Sequence, residues 1–297
     1  MTQSEVTFAQ DATPGRSQFS SLSVIAATYK FAAGHVFALA RAAWLPCSIM
    51  TGCIFLAVAD YFAFLARFLV APNGGDAGLM VALLMLCVIV LSYLSVVMMV
   101  RSVNIVLGAT EPSNGTLRAA APQARLFAAS LRLLVALMLI GLVSVGMTLG
   151  GLRFVPASPQ SAVYAGWTVF VGASWYVCAR CGVLMPALAT VERSAVLRRA
   201  WKLTRGNAWA LMLIWALLVV GPAVILQILG NTLLNPLELS VVAKLSSSWA
   251  GIAAGVASEP LLLFGIALLI SATATLCSVL LGIGSVFALK ALAPSKE

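Results

Sequence analysis

Six long apolar segments recur along the chain, and they limit what it can fold into more than any other feature. A helix needs about 20 mostly apolar residues to cross the hydrocarbon core of a bilayer. The six segments that meet this requirement lie at about residues 45–68, 78–100, 128–150, 162–185, 207–229 and 261–289. We therefore predict an all-α, polytopic integral membrane bundle with six transmembrane helices.

Composition supports a membrane protein over a soluble one. Apolar residues make up 62% of the chain and charged residues only 9%, whereas a soluble domain carries about 25% charged residues. The formal net charge is +9. The basic residues lie almost entirely between apolar segments, which is the pattern of membrane orientation and not of a nucleic-acid surface. We therefore expect no nucleic-acid partner.

The distribution of lysine and arginine predicts the orientation. Fifteen of the 18 basic residues lie in four regions: three near the N-terminus, four around the second connection, six around the fourth and two at the C-terminus. With six spans, all four regions fall on the same side, which the positive-inside rule makes cytoplasmic. The three on the other side are Arg67, Arg153 and Lys244. We predict an inner-membrane, multi-pass protein with cytoplasmic N- and C-termini.

The chain reads as one membrane domain with a polar tail. Residues 1–20 are polar and lack the basic start and apolar core of a signal peptide, so we expect a disordered cytoplasmic tail. Residues 21–297 form a single transmembrane domain. Residues 249–258 are ambiguous, because they can extend the sixth span, stop at Pro260 or form a short re-entrant piece.

Two segments on the cytoplasmic side resemble each other. Residues 29–39 (YKFAAGHVFAL) and 201–211 (WKLTRGNAWAL) share the order aromatic, lysine, apolar, two variable residues, glycine, polar, small, aromatic, Ala, Leu, at a constant offset of 172. We interpret each as an amphipathic helix along the inner membrane surface that bends at its glycine into the bilayer. His35 and Asn207 are placed to cap the helix that follows. The alternative is chance similarity in an alanine-rich chain.

The segment from Ala195 to Trp209 (AVLRRAWKLTRGNAW), followed by an apolar span, carries a family resemblance. It resembles bacterial multi-span proteins related to the membrane domain attached to glycerophosphodiester phosphodiesterases. In that family the phosphodiesterase chemistry belongs to a separate soluble domain. We find no counterpart of that domain in this sequence and therefore do not expect that activity here. The resemblance covers about 30 residues and the general six-span layout. It implies a bacterial inner-membrane location and a poorly known role.

Basic residues around the two similar segments are the candidates for contact with anionic lipid headgroups or with a membrane protein partner. They are Lys30, Arg198, Arg199, Lys202 and Arg205. Each such charge near an anionic surface contributes about 1 kcal/mol. Arg132 and Arg180 lie about one turn inside the cytoplasmic ends of their spans, where we expect them to snorkel to lipid phosphates.

Asp60 is the intramembrane polar candidate, because it is the one carboxylate well inside a predicted span. An ionisable residue at such depth is costly and suggests a functional site. A structural role, satisfied by water or an arginine near the outer end of the helix, is the alternative. Arg67 is seven residues on, about 10 Å along the helix axis, which is too far for a direct pair in a straight helix.

Catalysis and metal binding find little support. The six cysteines include Cys178 and Cys181 in a C-x-x-C, but there is no second pair and His35 is the single histidine. A dyad of His35 with Ser174 is geometrically implausible, and an intramembrane aspartyl protease needs two acids where only Asp60 is available. We expect no enzyme activity, cofactor or metal.

Two functions remain open from the sequence. The first is a non-enzymatic membrane component that organises lipid or a partner through the basic segments. The second is a small transporter or permease subunit. Three features favour it: Asp60, the Gly221-Pro222 break in the fifth span and the internal duplication.

Overall fold

A computed structural model describes residues 20–70, 75–108, 121–154, 159–191, 196–230, 232 and 259–292. These residues form helices, and no strand occurs among them. The helices are α1 (Ser21–Gly34), α2 (Val36–Val70), α3 (Gly75–Val106), α4 (Ala121–Phe154), α5 (Pro159–Val177), α6 (Met185–Val191), α7 (Val196–Leu203), α8 (Ala208–Trp215), α9 (221–230) and α10 (Pro260–Leu292). Two π-helical turns interrupt this order, a first at Cys178–Gly182 and a second at Ala216–Val220.

Six helical stretches are long and apolar enough to cross a membrane, and this confirms the predicted six-span bundle. They are Val36–Leu65, Gly78–Val106, Ala121–Gly150, Val163–Val191, Ala208–Gly230 and Pro260–Leu292. Many large apolar side chains on these stretches are exposed, for example Leu79, Leu142 and Leu261. Lipid tails can cover such a surface, whereas in water it would be an aggregation hazard.

The helices extend beyond the predicted spans at several ends. Helix α2, which carries the first span, begins at Val36, nine residues before the predicted start of that span near residue 45. No glycine or proline breaks the segment between His35 and Pro46. The fourth stretch continues past residue 185 to Val191 through the first π-helical turn and Pro186. The predicted disordered tail, apart from its last residue, and the ambiguous segment 249–258 lie outside the described residues.

Helix α10 occupies the centre of the bundle. It contacts α1, α2, α3, α6 and the second π-helical turn, and its residues Ser271 and Ile283 have no exposed surface. The close approach to α3 depends on Gly282, where an added Cβ would lie 2.7 Å from the carbonyl oxygen of Met99. A small residue is therefore required at this crossing.

A side-chain hydrogen bond also ties α10 to α2. The hydroxyl oxygens of Thr51 and Ser271 lie 2.6 Å apart, and both side chains are buried. Each hydroxyl also lies within hydrogen-bond distance of a carbonyl oxygen in its own helix. The Thr51 hydroxyl reaches the carbonyl of Cys47, and the Ser271 hydroxyl reaches the carbonyl of Leu268. Hydrogen bonds of this kind fix the register of neighbouring helices where apolar packing alone is non-directional.

Candidate functional site

Helix α7 presents most of the basic candidates on one surface. Val196 and Ala200 are buried against the bundle, and Thr204, just beyond the helix, has no exposed surface. The side chains that share the outward direction are Arg198, Arg199, Trp201, Lys202 and Arg205. This division follows from the 3.6-residue period of the helix, which places residues 196, 200 and 204 on one face. We call the outward set the α7 basic surface.

A buried arginine holds α7 in place. Arg180 lies in the first π-helical turn and is only 7% exposed. Its Nε donates to the Thr204 hydroxyl at 3.2 Å, and one terminal nitrogen donates to the backbone carbonyl of Trp201 at 2.9 Å. The other terminal nitrogen donates to the hydroxyl of Tyr176 at 2.9 Å. The planar, forked guanidinium suits this arrangement, because one side chain satisfies acceptors in three directions.

The same guanidinium stacks on the aromatic ring of Trp201. Its central carbon lies 3.8 Å from the Trp201 ring centroid and 5.5 Å from that of Tyr176. The two rings meet edge to face, with centroids 6.1 Å apart. Cation–π contact with a desolvated arginine contributes up to about 2 kcal/mol. Arg180, Tyr176, Trp201 and Thr204 therefore form a clamp between the fourth span and α7, which we call the Arg180 clamp.

The clamp corrects one expectation from the sequence. We predicted that Arg180 snorkels to lipid phosphate, but the structure buries it and turns it toward α7. The π-helical turn adds a residue to one helical turn and so redirects the side chains within it. Pro186 follows shortly and cannot donate a backbone hydrogen bond to the preceding turn, which favours such an irregularity. Arg132, by contrast, is exposed as expected.

The two similar segments have nearly the same backbone angles at the residue that precedes each spanning helix. His35 has φ −121° and ψ 23°, and Asn207 has φ −115° and ψ 23°. The amide of Leu39 donates to the carbonyl of His35 at 3.0 Å, and the amide of Leu211 donates to that of Asn207 at 3.1 Å. In both segments the spanning helix therefore begins at the same position of the pattern, at Val36 in the first and at Ala208 in the second. The short helices end differently, because α1 continues to Gly34 whereas α7 ends at Leu203, three positions earlier in the pattern.

Burial follows the same correspondence. Val24 and Val196 are both buried, as are Leu39 and Leu211, each pair being separated by 172 residues. Lys30 of the first segment and Lys202 of the second are both exposed. The shared order of residues thus coincides with a similar helix–break–helix arrangement, which favours a repeated unit over chance similarity.

The predicted capping by His35 and Asn207 is wrong. The side chain of Asn207 makes no capping hydrogen bond. The His35 Nδ1 lies 3.0 Å from the carbonyl oxygen of Phe31, in the preceding helix, and its ring stacks on that of Phe31. The predicted bend at glycine is found in the second segment, where Gly206 has a φ of +91° that strains residues with a Cβ. In the first segment Gly34 lies within α1 and has no positive φ.

The first segment reaches across to the fifth span. The hydroxyl of Tyr29 donates to the carbonyl oxygen of Leu217 at 2.7 Å, within the second π-helical turn. The π-helical donor for this carbonyl would be residue 222, which is a proline without an amide hydrogen. Burial, and then the proximity of Cys277, raises the pKa of Tyr29 above its ordinary value of 10.0, so the hydroxyl keeps its proton at neutral pH and can donate.

Asp60 lies far from the α7 basic surface. It is exposed near the distal end of α2, 24 residues after Val36, which corresponds to roughly 36 Å along the helix. The side chain of Arg67 lies outside the described residues. The structure thus gathers the cationic candidates of the second segment on one helix and leaves Asp60 at the other end of the bundle.

The described part of the chain contains no group of three or more His, Cys, Asp or Glu residues that could hold a metal ion. The Cys178 and Cys181 thiols are free. No protein-family model, curated protein or solved structure matches this chain.

Proposed function

We propose that this chain is a non-enzymatic component of the bacterial inner membrane that organises anionic lipid at the cytoplasmic face through the α7 basic surface. The observation that carries the proposal is the Arg180 clamp. It fixes a short amphipathic helix so that Arg198, Lys202 and Arg205 face away from the bundle.

The energetics favour anionic headgroups as the ligand. Each lysine or arginine beside an anionic leaflet contributes about 1 kcal/mol, and cations fixed on one rigid helix lose less entropy on binding than cations on a flexible tail. The exposed ring of Trp201 lies among these charges, and tryptophan prefers the level of the headgroups. Lys30 extends the same cationic side through α1.

The orientation belongs to the same proposal. Fifteen of the 18 basic residues fall on the side of the α7 basic surface if the six spans alternate, so the positive-inside rule makes this side cytoplasmic together with both termini. A membrane protein partner with an acidic surface could use the same cations, and we treat it as the competing occupant.

A pair of charge-matched double variants tests the proposal. The variant Arg198→Gln/Lys202→Gln removes two exposed cations from the α7 basic surface, and Arg41→Gln/Arg132→Gln removes two exposed cations elsewhere on the basic side. Each protein is extracted gently in its native lipid, and the lipid that stays bound is counted by native mass spectrometry. We expect the first variant to bind anionic lipid about thirtyfold more weakly than wild type, from about 2 kcal/mol lost.

The outcomes separate the alternatives. Equal retention of anionic lipid by both variants and wild type would contradict the proposal. Equal loss in both variants would mean that net charge, and not this helix, governs the contact. Co-purification of one stoichiometric protein that the α7 variant alone releases would assign the surface to a protein partner.

A small transporter or permease subunit is the second candidate, and the two π-helical turns favour it. Each lies in a spanning helix close to a proline, Pro186 in the fourth span and Pro222 in the fifth. Such irregular turns are frequent at functional sites, and transporters bind substrates at interrupted helices. Uptake of radiolabelled substrates from a broad panel into proteoliposomes tests this function, and no uptake above empty vesicles would count against it.

A further inference from the structure

A groove between α2 and α3 lies at the end of the bundle that the proposed function leaves unused. Its volume is about 250 Å³, and its walls are apolar side chains such as Leu83 and Leu86 together with the thiols of Cys53 and Cys87. Asp60 contributes the one carboxyl group of the lining. Leu86 and the neighbouring Leu56 are exposed on the outer surface of the bundle, so the groove opens where lipid tails would lie.

The register of the two helices gives the groove its direction. The Cys87 thiol donates to the carbonyl oxygen of Cys53 at 3.8 Å, which sets these residues level with each other. Because α2 and α3 are consecutive helices joined through a short connection, they run antiparallel, and Asp60 and Met80 each lie seven residues nearer to the connection. The groove therefore extends about 10 Å along the helices, from the two thiols to the carboxyl group.

Asp60 gives the groove a charge preference. No described side chain donates a hydrogen bond to it or pairs with it, although it sits among apolar residues within a spanning stretch. A carboxylate in such surroundings is costly unless a cation or hydrogen-bond donor reaches it. The groove thus combines an apolar interior with one acceptor at the end nearer the membrane surface.

These features select one class of occupant. An apolar cavity of about 150 Å³ already takes a benzene molecule, so this groove has room for a segment of alkyl chain. A cationic head at Asp60 would gain a charge-assisted hydrogen bond, whereas an anionic head would be repelled. We propose that the groove binds a membrane-dissolved, single-chain amphiphile with a protonated primary amine, the chain lying between α2 and α3 and the ammonium group at Asp60.

The proposal is independent of the lipid contact at α7. The groove lies at the end of the bundle away from α7, and the two sites attract opposite charges. Substitutions at Asp60 are therefore expected to leave anionic-lipid binding unchanged, and the α7 charge variants are expected to leave the groove unchanged.

The groove carries its own reporters in Cys53 and Cys87. The protein is reconstituted in nanodiscs of phosphatidylcholine and treated with N-ethylmaleimide, which permeates the bilayer, and alkylation of each cysteine is followed by peptide mass spectrometry. Dodecylamine and dodecanol are compared at equal mole fraction in the lipid, because they share a chain and differ in the head. Cys277, which lies on α10 outside the groove, serves as the control cysteine.

We expect dodecylamine to slow the alkylation of Cys53 and Cys87 at a mole fraction at least about tenfold lower than dodecanol requires, because only the amine forms a charge-assisted bond. Cys277 should respond equally to both. Asp60→Asn should abolish the advantage of the amine, and Asp60→Glu, which keeps the carboxylate, should restore it.

Three results would overturn the proposal. Equal protection by dodecylamine and dodecanol in the wild-type protein would reduce the groove to an apolar void filled by any chain. An amine advantage that survives in Asp60→Asn would place the ammonium elsewhere. Absence of protection by either compound would mean that the groove takes no such ligand, and the wild-type comparison gives this answer even if Asp60→Asn fails to fold.

Discussion

The guanidinium carbon of Arg180 lies 3.8 Å from the ring centroid of Trp201, while a terminal nitrogen of the same group donates to the Trp201 carbonyl oxygen at 2.9 Å. One side chain therefore contacts both the ring and the backbone of the helix that carries the exposed cations. Because Arg180 lies in the first π-helical turn of the fourth span, this turn anchors α7.

Replacing the anchor should release α7. We expect Arg180→Gln to destabilise the protein by about 3 kcal/mol, because it removes the guanidinium that donates to the buried Thr204 hydroxyl and to the Trp201 carbonyl. That carbonyl then keeps only the Thr204 hydroxyl as its side-chain donor. Arg180→Lys should recover little, since an ammonium group cannot donate in three directions with the same planar geometry. Denaturant-induced unfolding in mixed micelles measures the change, and Arg132→Gln, at an exposed position, serves as the control.

The contact between the first segment and the fifth span should show as a smaller effect. Tyr29→Phe removes the donor to the Leu217 carbonyl and should cost about 1 kcal/mol. The control Tyr164→Phe makes the same chemical change at a tyrosine that is 69% exposed. If both variants unfold at the same denaturant concentration, the Tyr29 hydroxyl does not support the second π-helical turn.

Replacing Gly282, at the helix crossing, by alanine should change stability in the direction opposite to that expected from helix propensity, which favours alanine over glycine. Gly282→Ala should destabilise the bundle, because the new Cβ would lie 2.7 Å from the Met99 carbonyl oxygen and force α10 away from α3. Gly146→Ala meets nothing within 4 Å, and should be neutral or stabilising by up to about 1 kcal/mol through helix propensity. Thermal unfolding of the two variants side by side decides this, and a Gly282→Ala protein as stable as wild type would refute the close crossing.

The pair formed by Thr51 and Ser271 is suited to a double-mutant cycle. Thr51→Val and Ser271→Ala each remove one of two hydroxyls that lie 2.6 Å apart. We expect a coupling energy of about 0.6 kcal/mol, the average for hydrogen bonds between membrane helices, and of at most about 1.7 kcal/mol. Strictly additive effects would show that the two hydroxyls are satisfied by their own helices alone.

The six spans could be predicted because hydropathy and length are local properties. The break between α1 and α2 was also accessible, since Gly34 and Gly206 occupy the same place in two similar segments. The predicted first span began only near residue 45 because the stretch before it is less apolar, whereas α2 itself begins at Val36, directly after His35, where the sequence placed the start of a helix.

The Arg180 clamp could not be predicted from the sequence. Its direction depends on the first π-helical turn, and its partners Trp201 and Thr204 are more than 20 residues away. The groove at Asp60 depends in the same way on the register of α2 against α3. The nearby proline, Pro186, was the available signal for the irregular turn, but a proline alone does not say which side chain is redirected.

Amide hydrogen exchange of residues 196–205 tests the central claim most directly, because it reads the α7 basic surface itself. Wild-type protein is compared in nanodiscs of purely zwitterionic lipid and in nanodiscs that contain anionic lipid. We predict that anionic lipid slows exchange across this segment in the wild-type protein, that the slowing is lost in Arg198→Gln/Lys202→Gln and that it is kept in Arg41→Gln/Arg132→Gln. Exchange that is indifferent to lipid charge in the wild-type protein, or protection that persists in the α7 variant, would contradict the account.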